Sequence, residues 1–313
     1  MEDRNIVKQG AIAGAVFILL MIATFFVPII SLVSIFLLPI PLIVFGSRFG
    51  FKPVAILFLI VSLISILLLS IYSLPIVFVM GLGGLAIGAA IYSKKDAYET
   101  WAQGTFSFAI GMAVVYAITQ FMFDINWVHE LNALIEESLE STVAFAEQVG
   151  TPITQEEYEA LQQSLSELTY LIPTGMVLIG LALAFISQWI SYKFINRSGG
   201  ARLKFPPFKD FKLPTSIIWI FLLGIILTWV YTDPAETMYL AAANLYALPG
   251  LLLVIQGLSF VFFYTHYKSW SKAIPIFTVI LFVLFPFLLI YPLRILGIID
   301  LGFRLRERLN GSK

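Results

Sequence analysis

The stretch QGAIAGAVFILLMIATFFVPIISLVSIFLLPIPLIVFGS, residues 9–47, decides the fold, because 39 residues pass without a charge. One bilayer crossing takes about 20 apolar residues, so the run is too long for one helix and right for two. Pro28 and Ser31 stand where the chain must turn, which predicts helices near 11–28 and 31–46. Such a pair is apolar on every side, and lipid is the solvent that tolerates it.

Working outward, residues 53–93 form a second uncharged run of 41, which splits near Ser73-Leu74-Pro75 into helices 53–72 and 75–92. Single spans are expected at about 102–123, 171–191 and 213–231, followed by longer apolar tracts at 237–264 and 273–303. The whole composition agrees: 59% hydrophobic and 12% charged, with mean hydropathy +0.93. Soluble domains run about 45–50% apolar and about 25% charged, so a water-soluble globular protein is excluded. The expected fold is all-α, a polytopic helical membrane protein of nine to ten transmembrane helices.

The chain has no cysteine, which removes disulfides, thiol nucleophiles, thiolate zinc sites and iron–sulfur clusters. Its two histidines, His129 and His266, are too few for a histidine-built metal centre or triad, and no cofactor or metal is expected. No P-loop, H-E-x-x-H, G-x-S-x-G or paired intramembrane aspartate appears, so the chain is not read as an enzyme.

Net charge is zero, and its sidedness carries more information. Alternating the spans places 1–9, 47–52, 93–100, 192–212 and 265–272 on one side with fourteen Lys and Arg. The opposite loops at 29–30, 73–74, 124–170 and 232–236 hold none. The positive-inside rule then puts the amino terminus in the cytoplasm and residues 124–170 outside. Glu2 and Asp3 precede the first span, which reads as a retained anchor. Nine crossings would leave the five remaining basic residues of the carboxyl end, Arg294, Arg304, Arg306, Arg308 and Lys313, outside. A hairpin within 273–303, interrupted by Pro286 and Pro292, returns the basic tail, and ten is the preferred count.

Residues 124–170 carry ten acids and no base. Leu131, Ile135 and Leu139 at helical spacing predict an amphipathic helix over 127–148, ended by Gly150 and Pro152. Thr154 and Glu157 form a capping box for a second helix over 155–169 that runs into the next span. Together they read as a solvated helical hairpin. His129 beside Glu130 has no second histidine nearby and reads as interfacial.

The confident spans contain no ionisable residue, which argues against a pump built on buried carboxylates. A neutral or zwitterionic solute could still be held by Tyr116, Gln120, Gln188, Trp229, Asn244 and Gln256, with Trp219 and Tyr231 further aromatic candidates. Each could equally bridge helices or sit in the interfacial belt. Asp233-Pro234-Ala235-Glu236 reads as a helix start at Pro234. Pro249-Gly250, midway along that tract, predicts either a kink or a discontinuous helix. Small residues at spacing four, Gly10 with Gly14, Ala11 with Ala15, and Gly84 with Gly88, mark close helix approach or a partner face.

The ending Leu296-Gly297-Ile298-Ile299-Asp300-Leu301-Gly302-Phe303-Arg304-Leu305-Arg306-Glu307-Arg308 has the form G-x-x-D-x-x-F-x-x-R, with Asp300 set to pair with Arg304 one turn on. With Arg197-Ser198-Gly199-Gly200 in an inner loop, the chain resembles over nearly its whole length the YybS family of uncharacterised bacterial membrane proteins. That family looks distantly like the substrate-binding membrane subunits of energy-coupling-factor vitamin transporters, whose first helix docks a coupling subunit through A-x-x-x-A. Ala11 and Ala15 match that pattern, which with Gly10 and Gly14 makes them the candidate partner-binding residues. The resemblance implies three parts: a six-helix body over 1–196 with the acidic insert 124–170, a basic loop over 197–212, and an extension of three to four helices over 213–313. It also implies a partner, either an energy-coupling membrane subunit or a membrane-bound cyclic-dinucleotide phosphodiesterase, and no nucleic acid. The functional expectation is a solute-binding or transport-related subunit that needs a partner for energy. The alternative is a non-enzymatic membrane scaffold or regulator.

Overall fold

A computed structural model describes residues 2–197, 202–234 and 236–311. Among them no strand occurs, and fourteen α-helices follow one another. The chain divides into two compact units, Met1–Pro152 with Gly175–Phe205, and Ile153–Thr174 with Pro206–Lys313. Ser198, Gly199, Gly200 and Ala235, which figured in the motifs above, lie outside the described residues.

The first unit begins with α1 (Glu2–Phe26), α2 (Pro28–Leu37), α3 (Pro39–Phe49) and α4 (Phe51–Leu69). It continues with α5 (Leu74–Tyr92), α6 (Ala97–Met122) and α7 (Trp127–Gln148). Pro28 and Pro39 each open a helix, where the missing N–H would be unbonded anyway. Leu38 between α2 and α3 keeps helical angles, so 28–49 form one 22-residue span, longer than the short helix expected over 31–46. Gly50 turns the chain from α3 to α4 at φ +82°, and a Cβ there would meet the Tyr92 ring at 3.0 Å. Glycine serves both demands at that position.

Gly84 and Gly88 let α5 lie against α3. A Cβ on Gly84 would stand 2.9 Å from the Pro39 carbonyl, and one on Gly88 3.1 Å from that of Ile43. Around this contact Phe17, Met21, Leu42, Ile43, Ile87 and Phe108 are fully buried. Outward-facing side chains are equally apolar, with Ile29, Leu67 and Phe121 each more than four-fifths exposed. Among the described residues seven helices are long and apolar enough to cross a membrane, and 216–230 and 273–284 are shorter apolar helices. The acidic segment forms α7 over the expected residues; the Asn126 side chain caps it by accepting from the His129 N–H, and the Trp127 indole donates to Thr119 Oγ1 at 2.7 Å.

α8 (Gln155–Ser166) belongs to the second unit and leads through a 3-10 turn into α9 (Ile172–Arg197), which continues in the first unit from Gly175. Its capping box is present as expected: the Thr154 hydroxyl accepts from the Glu157 N–H, and the Glu157 carboxylate accepts from the Thr154 N–H at 2.9 Å. Those bonds, backbone first, hold the Glu157 carboxyl below the usual carboxylate range. A depressed acid stabilises above its ordinary pKa and ceases to as pH falls through the folded value. The protection factor of the Glu157 amide, corrected for the intrinsic pH dependence of exchange, should therefore hold at neutral pH and fall as acidification passes through the lowered value of its carboxyl; protection that does not change on acidification would rule the box out as the cap.

The remaining helices are α10 (Ser216–Val230), α11 (Thr237–Tyr267), α12 (Ala273–Leu284), α13 (Pro286–Gly302) and α14 (Leu305–Gly311). One expectation is corrected here. α11 starts at Thr237 rather than Pro234, because the Glu236 N–H is spent in a turn onto the Asp233 carbonyl and Glu236 stays extended at the cap. Of the two readings of Pro249-Gly250, the discontinuous helix is not the one found: α11 runs unbroken through both residues. Proline lacks the N–H that would bond the Leu245 carbonyl four residues back, and that carbonyl lies against Gly224 of α10.

α11 and α13 run parallel. Arg294 lies by Tyr246, Gly297 by Leu253, Asp300 by Gln256 and Arg306 by Ser259, so the numbering rises along both. Parallel helices in sequence need a return, which α12 supplies before the break at Phe285. The 273–303 tract is thus a hairpin, and the tail ends where loop 206–213 lies, with Glu307 2.6 Å from Lys212 Nζ.

Candidate functional site

The second unit holds two buried charged groups on α13, and both face α11. Helix periodicity explains the alignment, since positions 294, 297, 300 and 301 share one stripe, and all four are buried. Gly257 and Gly297 bring the two backbones together, because a Cβ on either would overlap the opposite helix at the carbonyl oxygen of Leu293 or Leu253.

At the lower end Asp300, 2% exposed, meets the Arg306 Nε through Oδ2 at 2.9 Å. The expected partner was Arg304. That residue adopts φ +49° in the turn after α13 and points its guanidinium toward Glu307 at 4.0 Å. Helix spacing predicted i+4, but α13 ends at Gly302, and the turn swings Arg306 back instead. Arg306 then spreads its donors: Nη1 to the carbonyls of Lys209 and Phe211, Nη2 to Ser259 Oγ. Gln256 Nε2 donates to Asp300 at 2.6 Å, and Gln256 Oε1 accepts from the Leu213 N–H. The network ties loop 206–213 to α11, α13 and the tail. A buried pair with its remaining donors and acceptors met is the arrangement that offsets desolvation.

Six residues before Asp300 on α13 lies Arg294, 9% exposed. Its Nη1 donates to Tyr246 Oη at 2.8 Å. The guanidinium carbon lies 5.3 Å from the Phe221 ring centre, 5.2 Å from Tyr246 and 5.6 Å from Tyr291. Gly250 makes the room, since a Cβ there would come within 3.1 Å of Cζ and 3.2 Å of Nε. Among the described residues no acceptor meets the buried Nε.

The six candidate solute residues divide between the units, Tyr116, Gln120 and Gln188 in the first and Trp229, Asn244 and Gln256 in the second. Gln256 belongs to the Asp300 network. Asn244 is spent on helix joining, donating to the carbonyls of Tyr170 and Leu240 and accepting from the N–H and hydroxyl of Thr174. Trp229 is 79% exposed at the end of α10. Tyr116 and Gln120 are half-buried on α6. Gln188 is fully buried on α9, donating to the Ala97 carbonyl and to Tyr192 Oη. Among the described residues no group of three metal-ligating side chains comes together.

The interleaved small residues of α1 separate by face. Gly10 and Gly14 are buried, against Phe45 and against Leu57 and Val61. Ala11 and Ala15 are exposed and line an apolar groove of about 910 Å³ between α1 and α4, with Ile18, Pro53, Ile56 and Ile60.

Fold and site define a polytopic, all-α membrane protein. Residues 15–301 match the profile of the family described as "Predicted membrane protein (DUF2232)", and the chain belongs to that family. It is 27% identical over 310 residues to "Uncharacterized protein YybS" of Bacillus subtilis (strain 168), covering 98% of this chain and 99% of that protein. No solved structure matches.

Arg294 and Arg306 are functional candidates that the sequence reading had placed only as tail charges. The available signal was a lone arginine inside an apolar tract, which membrane depth makes informative.

Proposed function

We propose that the protein is a non-enzymatic subunit of the bacterial cytoplasmic membrane that works through a membrane partner docked on α1 and α4. The observation that carries this is the division of the α1 face: Gly10 and Gly14 are used inside the fold, while Ala11 and Ala15 are left on an open apolar groove. Small side chains on an exposed groove suit close approach of a partner's transmembrane helix, where van der Waals packing drives association. The amino terminus and the basic loops face the cytoplasm in this reading and 124–170 faces outward. Support comes from the gathering of Lys209, Lys212 and Arg306 at one end of the second unit. Likeness to energy-coupling-factor substrate-binding subunits favours a coupling subunit as the partner, ahead of a cyclic-dinucleotide phosphodiesterase.

A native chain without cysteine makes the test direct. Single cysteines at Ala11 and Ala15, carrying a photoactivatable maleimide, should give one discrete adduct in native membranes. Cysteine at lipid-facing Leu67 should not, and Ala15→Trp should cut co-purification of the same partner at least about tenfold, roughly 1.4 kcal/mol. Adducts as strong from Leu67 as from Ala11 would sink the docking role. A solute-handling role is the second reading, and the buried guanidinium of Arg294 is what favours it.

A further inference from the structure

We propose that Arg294 is the anchor of a binding site for an anionic group, carboxylate or phosphate, on an amphipathic molecule that enters the second unit from the lipid side. The proposal deepens the solute-handling reading and is independent of docking on α1 and α4.

The four apolar helices α10 to α13 contain one acid, Asp300, and it is engaged by Arg306 and Gln256. Arg294 therefore carries a positive charge that no carboxylate of its own helices balances. It sits eight residues into a 17-residue helix, about 12 Å from its start at 1.5 Å per residue, well away from either end. Ionisable groups at that depth pair or line a pathway. Three aromatic rings moderate the charge through their faces, but a ring face accepts no in-plane hydrogen bond from the guanidinium edge. Nη1 is taken by Tyr246, and Nε is buried without an acceptor among the described residues. The Nε edge is half of the fork with which arginine grips carboxylate or phosphate in two parallel bonds.

The surroundings set the rest of the ligand. Phe221, against the guanidinium, is buried in one apolar cluster with Leu253 and Ile218, which lie beside Gly297 and Gly302 further along α13, so the body attached to the anion is apolar. Tyr291, one turn before Arg294 on α13, is more than half exposed, as are Leu288 a turn further back and the adjoining Ile295, which opens the approach toward the acyl chains. Tyr246 and Gly250 on α11 hold the guanidinium in place, one by a hydrogen bond and the other by yielding space. This also gives Pro249-Gly250 a role that does not need a broken helix.

The test uses the purified full chain, delipidated and returned to nanodiscs or detergent, with thermal stability and native mass spectrometry as readouts. Four probes are compared: phosphatidylglycerol, decanoate, inorganic phosphate and, as the zwitterionic control, phosphatidylcholine. Phosphatidylglycerol or decanoate should raise the melting temperature by several degrees. Arg294→Gln should weaken that binding at least tenfold, Arg294→Lys should retain part of it, and Tyr246→Phe should weaken it a few-fold. Preference for phosphatidylglycerol assigns the site to a lipid headgroup, and preference for decanoate to a free amphipathic anion; either supports the shared chemistry, whereas preference for inorganic phosphate would overturn the amphipathic ligand. Should Arg294→Gln fail to fold, Gly250→Ala displaces the guanidinium with its charge retained and should show the same loss. Equal stabilisation by phosphatidylcholine, no stabilisation by any probe, or an undiminished effect in the folded variants would overturn the proposal.

Discussion

Gly257→Val should lower the melting temperature in detergent by about 6–12 °C, or leave no monodisperse sample. A side chain at Gly257 would overlap the Leu293 carbonyl of α13, and Gly297 makes the reciprocal approach to Leu253. Added volume in a packed core usually costs about 1–3 kcal/mol, because neighbouring side chains shift rotamer. Here the obstacle is backbone, so relief requires the two helices to separate. Separation would also loosen the alignment of Asp300 with Gln256 and of Arg294 with Tyr246. A loss of about 3 kcal/mol or more follows, and at about 2–4 °C per kcal/mol that gives the stated shift. Gly175→Ala is the control, since nothing lies within 4 Å of a Cβ there. Parent-like melting of Gly257→Val would show that α11 and α13 do not touch through these glycines.

The second large effect concerns Asp300 and Arg306. Asp300→Leu alone leaves the Arg306 guanidinium buried without its carboxylate, and Arg306→Met alone does the converse. Each should cost about 3–5 kcal/mol, the usual penalty for orphaning one member of a buried pair. The double variant should recover a large part of the summed loss, because both desolvation penalties vanish together. Arg306→Met has a further consequence: the carbonyls of Lys209 and Phe211 lose their donor, and Ser259 loses its bond to Nη2. Loop 206–213 should then loosen, and trypsin should cut after Lys209 and Lys212 at least several-fold faster than in the parent. Strict additivity of the two single losses, with unchanged proteolysis, would mean the pair is not coupled and does not hold the loop.

Much of this architecture was legible in the residues. The uncharged runs 9–47 and 53–93 gave the first four spans, and the helix over 127–148 and the box at Thr154 and Glu157 could be read from periodicity and capping chemistry. These are local properties: a helix period of 3.6 and an orphan N–H at a helix start are satisfied within a few residues. Misreadings occurred where a local signal met a tertiary competitor. Asp233-Pro234 looks like a helix start and becomes a separate turn; Asp300 and Arg304 have the spacing of a helical pair, but the helix ends between them. Asn244 and Gln256 look alike as polar groups in apolar helices, and nothing in their neighbours along the chain tells that one joins helices and the other supports a buried carboxylate.

Taken alone, the sequence determined that lipid is this protein's solvent, that its elements are helices, and where most of them cross. Those conclusions follow from hydropathy and length, which are sums over contiguous residues. The tertiary structure decided which side chains meet: that α13 returns parallel to α11, that Arg306 rather than Arg304 binds Asp300, and that Arg294 lies among three rings with its Nε unmet. Such pairings depend on the crossing of helices 40 to 50 residues apart in the chain. The glycines and the proline that permit that crossing act on a neighbouring backbone, which no single stretch of sequence contains.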